Sequence, residues 1–426
     1  MTQGSASLDR PAAAPAPRPG RAPAFGFIYA TAVMNALSFG LMIPVLPSLI
    51  KSFVGGDTAS AASWQAVFGV TWGAMQFIVG PVLGMLSDRF GRRPVLLISI
   101  FGLGGDFLVM AFAPSLWWLL AGRVLNGMTA ASFSTANAYV ADVTPLENRA
   151  RNFGLMSSAF SIGFLGGPLL GGVLAAISLR LPFIAAAALC LVNGLYGLFV
   201  LPESLAPERR LAKFMWRRAN PVGSLRLLLA HQSLMGLATI NFLFQLAQSV
   251  LPNIFVFYTT YRYHWSLPFL GLTFMVTGAL GVVVQAALVG PAVKRIGERG
   301  AVLAGALAGA AGFTIYALAP TGSLYFIGMP VFALIGLMQP GLQGLMSRRV
   351  RPNEQGQLQG AGQSLQGIAS IIGPLIFPLT FAWAVRRDAT LHMPGLAILI
   401  AAAFMVLAFL IALRVARPLP VAAPTG

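Results

Sequence analysis

Two charged residues stand inside long apolar stretches of this sequence, Asp106 near the middle of one and Arg123 a little inside the next. A charge at that depth costs on the order of 3 kcal/mol, so an ionisable group there is a functional candidate by default. The chemistry open to such a pair is proton binding and release. A neighbouring guanidinium favours the charged form of a carboxyl group and burial favours the neutral one, so a proton carrier works by changing that balance between two states. Asp106 is therefore expected to bind a proton from one side and release it on the other, with Arg123 as its partner.

Amide side chains recur at helical spacing in other apolar stretches. Arg123, Asn126, Ala130, Ser134 and Asn137 fall on one helix face, and Asn241, Gln245, Gln248 and Pro252 on another. Gln359, Gln363, Gln366 and Ser370 form a third row, with Gln339 and Gln343 on a fourth segment. Such amides either join helices or line a water-accessible cavity. Their concentration suits a cavity for a neutral, zwitterionic or weakly cationic amphipathic molecule.

The elements that must position these groups are membrane-spanning helices. Of 426 residues, 57% are hydrophobic and 9% charged, and the mean hydropathy is +0.78, far from the balance of a soluble chain. Apolar runs bounded by charge, Pro or Gly number twelve, at about 25–52, 63–86, 94–113, 116–141, 152–177, 182–201, 230–260, 266–290, 300–319, 323–347, 356–384 and 393–415. Each has at least the ~20 residues a helix needs to cross a bilayer.

The net charge of +17 would suit nucleic acid if the basic residues clustered on one surface. Instead most of them fall in alternate connections and the tails, and Lys51, Arg180, Arg262, Arg386 and Arg387 stand on the other side. This positive-inside asymmetry predicts a multi-pass protein of the plasma membrane with both termini cytoplasmic, and no nucleic-acid partner. Residues 1–24, rich in Ala, Pro and Arg, read as a disordered cytoplasmic tail, and 416–426 as a second tail. The one long polar connection, 202–229, begins Pro-Glu-Ser, carries Arg209, Arg210, Lys213, Arg217 and Arg218, and separates a half of six spans at 25–201 from another at 230–415.

Cys190 is the single cysteine, which excludes an internal disulfide and suits an inert buried thiol. His231, His264 and His392 stand near span ends. No spacing suggests a metal site, a phosphate-binding loop or a nucleophile triad, so no catalytic residue, metal ligand or cofactor is assigned and an enzyme is not expected.

Between the second and third runs lies Gly84-Met-Leu-Ser-Asp88-Arg89-Phe-Gly91-Arg92-Arg93. Asp88 can accept from helix N-terminal amides or pair with a neighbouring arginine, while Arg92 and Arg93 are expected to meet anionic headgroups. Asp88→Asn is expected to abolish transport without disturbing insertion. At an offset of 206, Gly84 and Gly91 recur as Gly290 and Gly297, and Gly154, Gly167 and Pro168 as Gly360, Gly373 and Pro374. Weak repetition of a six-span half is the signature of a duplicated transporter whose site lies near the bilayer midplane. Gly163, Gly167 and Gly171, four apart, allow close approach of another helix, and Pro168 adds a bend.

On these motifs the chain resembles the major facilitator superfamily and, within it, the twelve-span tetracycline-type drug/proton antiporters. The 84–93 turn matches the signature loop at every fixed position, 154–172 with Gly172 matches the antiporter glycine-proline pattern, and Arg123-Val-Leu-Asn-Gly127 matches the arginine motif of the fourth span. The resemblance implies an all-α integral membrane fold of two pseudo-symmetric six-helix halves. It implies export by alternating access, driven by the proton motive force with no cofactor, the partners being lipid, protons and a small-molecule substrate, and the protein a monomer. It also implies roles for Gln76 and Gln285 as substrate-contacting glutamines and places Asp106, Arg123 and Asp142 at family positions. The chain departs from it at Asn35, where tetracycline carriers have an aspartate, and at Gly281 and Gly309, where they have a histidine and an aspartate. Those departures weigh against metal-chelate recognition and leave Asn35 as a neutral cavity residue. Uptake of a polar nutrient and a non-transporting sensor on the same fold are the alternatives that the residue pattern leaves open.

Overall fold

A chain this apolar can satisfy its backbone N–H and C=O groups in hydrocarbon only within helices. The computed structural model describes residues 22–130, 132–211, 223, 225–351 and 354–416, and every regular element among them is helical. The tail before Ala22, the part of the central connection that holds Lys213, Arg217 and Arg218, and the tail beyond Ala416 lie outside the described residues.

Ten described helices are long and apolar enough to cross a membrane. One of them, Leu267–Leu318, bends at Gly297, whose φ of 70° and ψ of 173° are not helical, and so makes two crossings. Leu116–Thr129 and Ser132–Val143 are each too short but together make another. The crossings among the described residues are therefore twelve. Span 1 is Ala22–Met42 continued by Leu46–Phe53; span 2 is Thr58–Phe90 and span 3 Arg92–Phe112. Span 4 is the broken pair, span 5 Arg149–Ile177 and span 6 Leu181–Val200. Span 7 joins Gln232–Gln248 to Val250–Tyr263, span 8 runs from Leu267 through a π turn at Val284–Leu288 to the bend, and span 9 from the bend to Leu318. Span 10 is Gly322–Ala333 carried on to Ser347, span 11 Gln355–Arg386 and span 12 Leu396–Val415.

The interruption of span 4 corrects the expected continuous run at 116–141. Ala130 takes a ψ of 46°, which ends the first segment after Thr129 and breaks the register of the row from Arg123 to Asn137.

Within lipid, helices associate through close packing rather than a hydrophobic drive, so small residues mark the contacts. Gly163, Gly167 and Gly171 press against span 1 of the same half: a Cβ on them would meet Ala36, Gly40 and Leu41 at 2.5, 2.6 and 2.3 Å. The other face of span 5 meets the opposite half, where a Cβ on Gly172 would lie 2.4 Å from the Leu267 carbonyl and one on Gly271 the same distance from that of Pro168. Span 2 meets span 11 in the same way, Gly69 against Pro374 and Gly73 against the Ser370 carbonyl.

These two contacts, span 2 with span 11 and span 5 with span 8, carry most of the seam between the halves, and the second segment of span 7 adds smaller contacts to spans 1 and 2. The seam is closed over only part of its length. Gly80 and Gly84 on span 2, Gly154 on span 5, Gly281 and Gly290 on span 8, and Gly356 and Gly362 on span 11 have nothing within 4 Å of an added Cβ. The seam is thus zipped at the end that carries Asp57 and Leu267 and parted at the end that carries the 84–93 turn.

Candidate functional site

Asp106 sits on the middle of span 3, and its carboxylate meets the guanidinium of Arg123 from span 4 through Nη2 to Oδ2. Both are sealed, with side chains 0% and 5% exposed. Asn126, one turn beyond Arg123, donates from Nδ2 to the same Oδ2 at 2.9 Å. Oδ1 has no hydrogen-bond partner, and Gly122 backs it so closely that a Cβ there would lie 2.6 Å away. Arg123 Nη2 also faces the sulfur of Met110 at 3.5 Å, while its Nε is unpartnered. The pair expected from sequence is therefore brought together, with one carboxylate oxygen saturated and the other free to take a proton.

Asn126 belongs to this buried cluster. Its Oδ1 accepts from the indole N–H of Trp72 on span 2 at 2.7 Å. Trp72 was not legible as a site residue, because one indole in an apolar run carries no signal of its partner.

The other cavity candidates fall into two groups. Asn35 is bonded inside the N-terminal half: it accepts from Asn193 Nδ2 at 3.4 Å, and Thr31 donates to Asn193 Oδ1 at 3.0 Å, so a neutral chain joins spans 1 and 6. Gln76, Asn137, Gln245, Gln248 and Gln339 are half-buried, and Gln339 has a buried Oε1 without a partner. Gln285, on the π turn, and Gln343 and Gln363 are exposed. Gln363 stands one turn beyond the contact of Gly367 with Phe77, where the seam parts. Gly281 is exposed on span 8, whereas Gly309 is buried against Ile335 and Met405, so the latter position faces the half's own core.

The 84–93 turn is a closed electrostatic unit. Arg92 pairs with Asp88 one turn back, donates from Nε to Asp142 of span 4 at 3.1 Å and from Nη1 to Ser87 at 3.2 Å. This corrects the expectation that Arg92 meets headgroups: two carboxylates hold it, and its side chain is 13% exposed. Arg93 donates to the Leu198 carbonyl at 2.6 Å, and the Arg89 guanidinium lies over the Phe90 ring.

The amides at the start of span 3 are capped by Glu203, which accepts from Arg92 N at 2.8 Å and Arg93 N at 3.2 Å, and from Ser204 N and Leu205 N at 3.0 Å each. Of the two roles open to Asp88, it takes the arginine pair and Glu203 takes the amides. Gly91 makes this possible with a φ of 111°; an added Cβ would lie 2.2 Å from Glu203 Oε2.

The equivalent turn in the second half keeps the backbone and loses the pairing. Gly297 has a positive φ like Gly91, but its added Cβ would meet nothing within 4 Å. Glu298 instead pairs with Arg348 at 2.9 Å and is packed by Gly341 and Gly344.

Comparison with known proteins bears on this architecture. The Major Facilitator Superfamily profile matches residues 28–374. The chain is 43% identical over 355 residues to "Tetracycline resistance protein, class C" of Escherichia coli, covering 83% of this chain and 89% of that protein. It is 34% identical to the class H protein of Pasteurella multocida, covering 83% and 88%. A crystal structure of the nucleoside transporter NupG superposes with a TM-score of 0.72 at 14% identity, over 93% of this chain and 99% of that one, which shows the fold alone. The chain is a multi-pass membrane transporter and belongs to the major facilitator superfamily.

Proposed function

We propose that this transporter exports an amphipathic small molecule in exchange for protons across the bacterial inner membrane, as a monomer with both termini cytoplasmic and no bound cofactor. The observation that carries the reading is the sealed Asp106–Arg123 pair with a free Oδ1, the one ion pair among the described residues whose two side chains are both at most 5% exposed. A buried carboxylate with an unused oxygen has a position at which a proton can add. Relatives named for tetracycline resistance support export of a drug-like compound and make tetracycline the first compound to try.

In the proposed cycle the parted end of the seam faces the cytoplasm. The substrate enters between Gln76, Asn137, Gln245, Gln248, Gln285, Gln339, Gln343 and Gln363, where amides offer both donors and acceptors and no carboxylate or guanidinium selects for charge. Closure of that end and parting of the other carry it outward, and protonation of Asp106 from outside returns the empty carrier. The Asp88–Arg92–Asp142 unit latches the 84–93 turn during the change. One proton moving inward supplies roughly 2.3 kcal/mol per 100 mV and about 1.4 kcal/mol per pH unit. That supports a gradient of about tenfold to several-hundredfold.

The test is a toxicity panel, tetracycline and ethidium included, in a pump-deficient bacterium. Wild type is expected to protect against at least one compound and Asp106→Asn to lose that protection at equal membrane abundance. Protection retained in full by the variant would eliminate the proton-carrier role.

A further inference from the structure

The buried cluster contains an orientation lock that the proposed function does not use. Asn126 has one acceptor end and one donor end, and the indole of Trp72 can only donate. The bond from Trp72 Nε1 to Asn126 Oδ1 at 2.7 Å therefore fixes the amide so that Nδ2 points at Asp106 Oδ2, 2.9 Å away. That orientation suits a carboxylate, which only accepts. Protonated at its free Oδ1, Asp106 would accept that N–H only as a neutral acid, more weakly, and its O–H would lack a partner; the matching acceptor is the amide oxygen, which Asn126 can offer only by turning over. The indole opposes that turn.

We propose that Trp72 is a positioning residue for proton binding, acting through Asn126 to hold Asp106 in its charged form while the seam is closed beside it. The adjacent residue ties this to the seam: a Cβ on Gly73 would lie 2.6 Å from the Ser370 carbonyl of span 11, so span 2 carries the lock on one side and the opposite half on the other. Span 4 lies equally close, with Gly127 against Met75 and the Trp72 carbonyl. When the seam parts at this level and span 2 shifts, the indole leaves, the amide turns, and a proton from solution adds to Asp106 as the acid O–H donates to Oδ1 of Asn126.

Few other charges face the carboxyl group. Arg123 faces it from span 4, and from span 6 the Cys190 thiol approaches Gly104. At the opposite end, Arg180 before span 6 donates to the Ala111 and Ala113 carbonyls of span 3 and Asp57 caps the start of span 2; the remaining titratable groups on spans 2, 4 and 6, and the arginines of span 3 itself, lie toward the loop end. Asp88 and Asp142 are paired with Arg92, Tyr139 donates to the Pro202 carbonyl, Arg93 donates to the Leu198 carbonyl, and Tyr196 packs against Phe27 at a tilt.

The inference rests on Asp106 being the proton carrier, so the experiment reads that residue directly and needs no substrate. Purified protein in lipid nanodiscs is titrated by difference infrared spectroscopy, following the carboxylic acid C=O band that Asp106→Asn removes. Trp72→Phe is expected to move the midpoint of that band upward by about one pH unit, near the worth of one charge-assisted hydrogen bond. Asn126→Ala is expected to move it comparably, and the double variant no further than Asn126→Ala alone, since the two residues act in series. A band unmoved by Trp72→Phe, or shifts that add in the double variant, overturns the inference alone. The absence of any Asp106-dependent band overturns the proton-carrier reading and this inference with it.

Discussion

Replacing Gly91 by alanine perturbs the turn in two separable ways. Its φ of 111° and ψ of 162° lie in a region that side chains avoid, at a cost of about 1–3 kcal/mol. The new methyl would also sit 2.2 Å from Glu203 Oε2, so Glu203 must leave the amides of Arg92 and Arg93. Losing a charged acceptor at a helix start costs a further ~1.5–3 kcal/mol. The sum is roughly 2.5–6 kcal/mol. Gly297→Ala is the internal control, because its φ of 70° carries similar strain but no atom lies within 4 Å of the new methyl. Its cost is therefore about 1–3 kcal/mol. Thermal unfolding of detergent-purified variants should rank Gly91→Ala well below Gly297→Ala and both below wild type. Adding Glu203→Ala to Gly91→Ala should destabilise little further, as the cap is already lost. Equal losses for the two glycines, or a fully additive double variant, would refute the reasoning.

Asp106→Asn is expected to fold and insert normally while losing at least tenfold in proton-linked transport, read by vesicle uptake at matched protein abundance. Asp57 caps the start of span 2, accepting from Ala59 N at 3.3 Å and Ser60 N at 2.8 Å, and hydrogen bonds from the Ser60 side chain and amide hold its carboxyl below the usual range. A group whose folded value lies below its unfolded one stabilises above the unfolded value, about 4, and loses that contribution as pH falls through the folded one. Thermal stability should therefore fall below about pH 4 in wild type and do so less in Asp57→Asn; identical pH profiles would count against the cap. Gly73→Ala places a methyl 2.6 Å from the Ser370 carbonyl and should prise the closed end apart. A cysteine introduced at Ser48, which lies with Thr58, Val256 and Thr260 in the groove at that end, should then react faster with an impermeant thiol reagent. Unchanged reactivity would show that the seam tolerates the methyl, and Cys190, buried, leaves the background low.

Much of this architecture is legible in the sequence because lipid imposes one rule on every span. Twelve apolar runs read directly as twelve crossings, and the 206-residue repeat survives as Gly91 and Gly297, both at positive φ where side chains are strained. Asp106 and Arg123 were legible because charge is rare in such runs. The break after Thr129 was not, since no proline or charge marks it. Glu203 was missed as a cap because its partners lie more than a hundred residues away and no spacing rule joins them. The headgroup role expected of Arg92 failed for a related reason: a cationic turn looks solvent-facing until Asp142 from span 4 is folded against it. Amide rows revealed helix faces but not which face is cavity, so Asn126 and Asn35 prove to be bonded within their own half while Gln343 and Gln363 are open.

The central claim is that Asp106 exchanges a proton for an outbound molecule. Its most direct test uses proteoliposomes enclosing a pH-sensitive dye, to which a compound that wild type exports in the cell panel is added. Wild type should move protons against the direction of the compound and Asp106→Asn should move none. Equal compound flux in both proteins, unaffected by collapsing the proton gradient, would contradict the account.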